Sequence, residues 1–249
     1  MKISIVTAVY NNKNTIADAI ASVQSQSYPN IEHVIQDGGS TDGTLDIIKE
    51  MSNSCTFLES RSDYGIYNAI NRGIARTNGD VVALLHSDDF YSSAHVIEKV
   101  VSVFENSNID GLYGDLHYVS CRDPSRVVRH WIAGDYSKSK VRRGWMPPHP
   151  TVFLRRDVFE KYGMYDESYE ISGDYDAMLR YFGIHHLRMA YIPEVLVKMK
   201  TGGESNKSLR HVWKKSCEDY RALRYNKIGG VLALMLKNTS KLPQFLNRV

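Results

Sequence analysis

The stretch Val81-Val82-Ala83-Leu84-Leu85-His86-Ser87-Asp88-Asp89 decides the fold. Its first five residues are an unbroken apolar run of buried-strand length, and its last two are adjacent carboxylates at that strand's end. In an open α/β sheet ligands sit at the strand ends, so these carboxylates would line a crevice. Two carboxylates side by side repel unless something positive joins them. A hard divalent cation shared with a phosphate group is the simplest such partner. A capped turn accounts for the same residues, because Asp and Ser favour helix starts and the chain turns helical at about Ala94.

The flanking sequence supports an α/β protein. Ile3–Val9 is a β-branched run ending at Tyr10-Asn11-Asn12, and a helix follows from about Thr15 with Ile16, Ala19, Ile20 and Val23 on one face. Ile31–Gln36 is a second strand. The polar turn Asp37-Gly38-Gly39-Ser40-Thr41-Asp42-Gly43-Thr44 then opens another helix. Phe57-Leu58 marks a brief third strand, and Gly65–Ala75 is helical by pattern. Helices and strands alternating over short connections predict a mostly parallel sheet covered on both faces. After about residue 110 the rhythm changes. Gly111–Val119, Val127–Ile132 and Thr151–Leu154 read as strands, while Asp174–Phe182 and Leu209–Tyr225 read as helices. Between them lie a basic loop (Lys138, Lys140, Arg142, Arg143) and the proline-rich Trp145-Met146-Pro147-Pro148-His149-Pro150.

A chain of 249 residues, 43% hydrophobic and 24% charged, has the material for one large globular domain or a domain plus an extension. Cys55, Cys121 and Cys217 are odd in number and lack metal or redox spacing, which fits free thiols in a reducing compartment. Met1–Val6 reads directly as a strand with no signal-peptide layout, and no apolar run approaches a membrane span. The net charge of +3 conceals an asymmetry: residues 198–249 hold twelve Lys/Arg against three acids, leaving about −6 on the remainder. The tail is a basic attachment to a mildly acidic body.

The Asp37–Thr44 turn places a carboxylate at a strand end, then glycines, then hydroxyls at a helix start. Small residues admit a ligand to the backbone, and helix N–H groups attract anions. Neither a dinucleotide fingerprint nor a P-loop is present. Together with Ile5–Asn11, Asp63–Gly73, Leu85-His86-Ser87-Asp88-Asp89 and Ser172-Gly173-Asp174-Tyr175-Asp176, this turn resembles family 2 glycosyltransferases of the GT-A fold, of the bacterial O-antigen and capsular polysaccharide type. The segments run in order over roughly four fifths of the chain.

The resemblance implies an inverting transferase that moves a sugar from a nucleotide diphosphate donor, UDP-hexose foremost, to an acceptor hydroxyl. It implies a GT-A domain over residues 1–205, with a nucleotide-sugar half (1–110) and an acceptor half (111–205), and a basic helical extension over 206–249. Thr7, Tyr10, Asp37, Asp63 and Asn71 would hold the donor. Asp88 would face the ribose or the cation, and Asp89 would bind Mn²⁺ or Mg²⁺. His86 stands where the family commonly has an aspartate or asparagine, and imidazole suits Mn²⁺ better than Mg²⁺. Asp174, after a glycine at a helix start, stands where the family has its catalytic base. An N-cap role accounts for Asp174 as well, and Asp176 is the neighbouring alternative.

His149 would reach the cation or the diphosphate from the acceptor side, or serve as a packing residue. Trp131, Trp145 and Tyr175 would stack on sugars or fill core. Gly202-Gly203 and Ser205 suggest a lid. Lys214, Lys215, Arg221, Arg224 and Lys227, the apolar run Ile228–Leu236, then Lys237 and Lys241 read either as a packed helix with a solvated face or as an interfacial segment. The interfacial reading suits a polyprenyl-linked saccharide acceptor at the cytoplasmic face of an inner membrane. No nucleic-acid motif accompanies the basic patch. A nucleotidyltransferase would want a glycine-rich basic loop after the first strand, which Thr7–Asn12 lacks, and a non-catalytic donor-binding scaffold would not need Asp37, Asp89 and Asp174 intact.

Overall fold

The computed structural model describes residues 1–201 and 209–239, so Gly202-Gly203, Ser205 and Lys241 lie outside the described residues. Strands β1 (Ile3–Val9), β2 (Ile31–Asp37), β3 (Thr56–Ser60) and β4 (Val81–Leu84) alternate with helices α1 (Ile16–Gln24), α2 (Thr44–Met51) and α3 (Ile66–Ala75). β1 is buried along its whole length, Ser4 and Thr7 included, as a central strand covered on both faces is. It pairs in parallel with β2 on one side (Ile3 opposite Ile31, Val9 opposite Asp37) and with β4 on the other (Ile3 opposite Val81). The strand order therefore reverses at β1, and the ends of β1, β2 and β4 open into the crevice where such sheets bind ligands. α3 lies close on this sheet because Gly73 has no side chain: a Cβ there would stand 2.5 Å from Val6.

Beyond β4 the chain adds β5 (Asp89–Tyr91), α4 (Val96–Asn106), β6 (Gly111–Val119), β7 (Val127–Trp131), α5 (Lys138–Arg142), β8 (Phe153–Arg155), α6 (Arg156–Tyr162), α7 (Gly173–Met178) and β9 (Met189–Lys200). The sheet order is β3-β2-β1-β4-β8-β6-β9-β5, with β7 on β6. β8 runs antiparallel to β4 and β6, whereas β6 and β9 pair in parallel. Asp89 does not end a capped turn. It enters β5, antiparallel to β9 with Asp89 opposite Met199.

The basic region is helical, as its pattern predicts: α8 (Leu209–Tyr225) and α9 (Val231–Thr239). Ala222, Leu223 and Ala233 share one core with Tyr175, Tyr181 and Phe182, so both helices pack against the body.

Candidate active site

Several polar residues expected at the donor make hydrogen bonds within the protein. Thr7 is fully buried; its hydroxyl donates to the Leu85 carbonyl (2.8 Å) and lies 2.9 Å from His33 Nε2. Burial pushes the His33 imidazole down to about 4, so the ring is neutral and its Nε2–H donates to Thr7. The Asp37 carboxylate, also fully buried, accepts from the backbone N–H groups of Gly39 and Ser40 and from the hydroxyls of Ser40 and Ser60, which ties its own turn shut. Asn71 donates to the Tyr165 carbonyl and Glu167 (both 2.8 Å) and accepts from the Tyr165 N–H, fastening α3 to the loop at residues 165–167. Thr7, Asp37 and Asn71 thus each have partners within the protein.

Tyr10, Gly38 and Asp63 lie together. Tyr10, 63% exposed, lies beside Gly38, and Asp63 reaches over the Gly38 backbone from the next loop. A Cβ on Gly38 would stand 2.5 Å from Asp63 Oδ2 and 3.4 Å from the Tyr10 ring, so the glycine leaves open the floor of a cradle between a ring and a carboxylate.

At the end of β4, Asn12 donates to Ser87 Oγ (2.7 Å) and Thr15 to the Ser87 carbonyl (2.8 Å), which anchors the turn to the start of α1. Asp88 is half-buried, while Asp89 is fully enclosed with both carboxylate oxygens unpartnered among the described residues. Burial first, and then the Asp88 charge, push the Asp89 carboxyl well up. Such an orphaned carboxylate is what a cation would satisfy. Mg²⁺ and Mn²⁺ are commonly held by one or two carboxylates with substrate phosphates completing the shell, and this pair fits that donor set. No cluster of three or more His, Cys, Asp or Glu able to hold a metal occurs among the described residues.

From the same turn after β4, His86, His149 and Asp174 form a line. His86 Nε2 lies 2.6 Å from His149 Nε2, and His149 Nδ1 lies 3.1 Å from Asp174 Oδ2. Burial pushes His149 down to about 4, with the Asp174 charge working the other way. Burial alone would raise the Asp174 carboxyl, but His149, Lys215 and Lys237 outweigh it and hold it below its usual range. The pair at neutral pH is thus carboxylate and neutral imidazole. The hydrogen bonds then assign His149 Nδ1–H to Asp174, and His86 Nε2–H to the bare His149 Nε2. Both His149 nitrogens are engaged, so it bridges the His86 and Asp174 side chains. Asp174 Oδ1 lies 3.5 Å from the Tyr67 hydroxyl, which donates to the Ile171 carbonyl at 2.6 Å. Oδ1 is the less engaged oxygen, and Asp174 borders a cavity of about 360 Å³ lined by Tyr67, Leu84, His86, His149 and Tyr165 among others.

Asp176, the alternative base, is buried and bonded to Arg180 (2.9 Å) and Asn226 (2.7 Å), which leaves it structural. Tyr175 fills core beneath the Lys237 ammonium, 3.3 Å from its ring centroid, and so does not stack on sugar. Trp145 donates to the Ala133 carbonyl and packs beside Tyr113 and Phe182.

A further set escaped the sequence reading. Glu218 accepts from the backbone N–H groups of Glu170, Ile171 and Ser172 (3.2, 2.8 and 2.9 Å), immediately before the Asp174 helix. Asp219 holds Lys237 at 2.6 Å, both buried. The available signal was compositional: Glu218-Asp219 is the one acidic pair in a basic helix.

A family model described as glycosyl transferase family 2 matches residues 4–163. The Nostoc sp. glycosyltransferase alr2836 is 30% identical over 174 residues, 65% of this chain; the match spans only 53% of that relative's length. A PGL/p-HBAD biosynthesis glycosyltransferase of Mycobacterium tuberculosis is 28% identical over 208 residues, covering 82% of this chain and 78% of the relative. Among solved structures, S. aureus TarS 1–349 in complex with UDP-GlcNAc superposes with a TM-score of 0.70 at 17% identity, over all of this chain and 72% of that one. The mannosyltransferase PcManGT from Pyrobaculum calidifontis, in complex with GDP-Man and Mn²⁺, gives 0.65 at 14% identity over 98% of this chain and 73% of that one.

Proposed function

The chain belongs to glycosyl transferase family 2 and has the GT-A fold, and from that premise we propose an inverting transfer of a hexose from a nucleoside diphosphate to the hydroxyl of a lipid-linked saccharide. UDP is the first candidate nucleotide, as in the TarS complex. The acceptor would be met at the cytoplasmic face of an inner membrane touched by the basic C-terminal region. The observation that carries the reading is the His86–His149–Asp174 line, ending in an ionised carboxylate beside a cavity.

Tyr10, Gly38 and Asp63 take the nucleoside, while Asp88 and Asp89 hold Mn²⁺ or Mg²⁺ with the diphosphate. When bound, the cation neutralises the charge gathering on the departing diphosphate. Asp174 Oδ1 takes the proton of the acceptor hydroxyl while that oxygen bonds the anomeric carbon. The bond from that carbon to the diphosphate oxygen breaks, and the leaving group keeps the electron pair. His149, donating to Oδ2, fixes the carboxylate so that Oδ1 stays turned to the acceptor. General-base catalysis of this kind contributes about 10²–10⁴-fold.

Asp174→Asn tests it. Turnover should fall by about 10²–10⁴-fold, while UDP-sugar with Mn²⁺ still stabilises the protein, by about 2.7 kcal/mol at a hundred times its Kd. Near-normal turnover by Asp174→Asn would place the base elsewhere.

A further inference from the structure

Three of the cations named in the tail have partners within the protein. Lys237 is buried against Asp219, Lys214 pairs with Glu170, and Arg221 lies over the Tyr169 ring at 3.7 Å. α9 turns Ala233 and Lys237 inward, where Gly144 lies so close that a Cβ would meet the Ala233 carbonyl at 2.5 Å. The remaining side of this helix carries Val231, Leu232 (71% exposed), Met235 (59% exposed) and Leu236, all on the exposed side among the described residues. The segment braced beneath α9 at Gly144 is the end of α5, and it carries Lys138, Lys140, Arg142 and Arg143, all exposed. Exposed Arg224 and Lys227 precede α9 in the chain, next to Tyr225. None of these six cations is ion-paired among the described residues; Lys140 donates to the Asp135 carbonyl.

We propose that Val231, Leu232, Met235 and Leu236 of α9 and the exposed cations of the Lys138–Arg143 segment, whose next residue Gly144 abuts α9 at Ala233 and Lys237, together form one docking face for an anionic lipid bilayer. The division of labour suits a bilayer. Aliphatic side chains and a methionine enter the headgroup–acyl boundary, and cations left without protein carboxylates meet anionic headgroups. Two segments about ninety residues apart in sequence are needed, so the face is not a property of the tail alone. It also bears on the site. From Arg143 to His149 is six residues, at most about 22 Å of chain, so the strip that meets the membrane leads directly to the group that orients Asp174. The inference extends the lipid-linked acceptor reading, but its test requires no turnover.

The full-length protein is sedimented with vesicles of phosphatidylcholine, with and without phosphatidylglycerol. Binding is expected only with the anionic lipid, and added salt should weaken it. Leu232→Glu/Met235→Glu should lower partitioning at least tenfold, and Arg142→Glu/Arg143→Glu likewise. Both pairs are exposed, so the melting temperature and its rise with UDP-sugar should be retained. Equal binding to neutral vesicles, or no binding, overturns the proposal. Normal binding by Arg142→Glu/Arg143→Glu overturns the role of the second segment. A lipid-free dimer that Leu232→Glu/Met235→Glu converts to monomer would make a second copy the occupant and also overturn it. A failed vesicle assay beside intact UDP-sugar stabilisation leaves the transferase reading standing.

Discussion

Thr7, Asp37 and Asn71 on the donor side of the crevice carry the same kind of sequence signal as Asp174 and His149 on the acceptor side: polar residues in motif segments at element ends. The structure uses the two groups differently. On the donor side the hydroxyl, the carboxylate and the amide are consumed by neighbouring backbone and side chains. In the proposed reaction they would act on a ligand through the shape of the loops they fix. On the Asp174 side one carboxylate oxygen lies 3.1 Å from His149 Nδ1, and the other has only the Tyr67 hydroxyl at 3.5 Å. In that reading the heavily bonded groups build the walls of the site, and the less engaged oxygen would do its chemistry.

The largest test of this contrast is acid stability. His33 sits in the donor-side network with a folded-state value near 4, against about 6.5 in an unfolded chain. The neutral ring is favoured by folding, so its contribution is full above about pH 6.5 and is lost as the pH falls toward 4. The loss is on the order of 3 kcal/mol. Melting temperatures between pH 7.5 and 4.5 should therefore drop more steeply for the natural protein than for His33→Gln. His149 titrates in the same direction and is present in both proteins, so the difference isolates His33. Equal slopes would mean that the Thr7–His33 network does not carry the stability assigned to it.

The second test moves to the acceptor side. His149→Gln leaves Asp174 Oδ2 without its imidazole and should lower kcat by about 10²-fold, the scale of a small misplacement of a reacting group. Donor KM should stay unchanged, and His86→Ala should act in the same direction more weakly, because it touches Asp174 only through His149. A raised donor KM with normal kcat would move His149 to the donor side.

The sequence made the strands β1, β2 and β4 legible because each is short, rich in β-branched or aliphatic residues and followed by a polar turn, and helices alternating between them imply the parallel pairing that brings their ends together. Asp174 was legible for a similar reason, as an acid at a helix start. Partners were not legible. The meeting of His86 with His149 depends on β4 pairing with β8, sixty-three residues further on, and no local pattern encodes that. Glu218 was hidden because an acid in a long basic helix reads as a surface charge until the backbone N–H groups of residues 170–172 are seen to converge on it. Asp89 was legible as an acid at a strand end, but not as a member of β5, since three residues are too few to carry a period.

The smallest expected effect falls where the donor side should depart from its own rule. Gly38 is the position there at which the chain leaves room between Tyr10 and Asp63. Gly38→Ala adds a Cβ that would stand 2.5 Å from Asp63 Oδ2 and 3.4 Å from the tyrosine ring. The carboxylate ends a short side chain on a loop, so it can swing aside and the protein should fold with little change in melting temperature. If Tyr10 and Asp63 grip the nucleoside, the swing removes a contact from the ligand and none from the core. UDP affinity, read by calorimetry, should weaken about tenfold, about 1.4 kcal/mol, with kcat at saturating donor preserved. Unchanged affinity would take Asp63 out of the cradle and leave the diphosphate end, at Asp88 and Asp89, as the donor's main hold. A fall in kcat at saturation would instead show that the nucleoside's seat and the reacting carbon are mechanically coupled, and the two sides could then no longer be treated as separate parts.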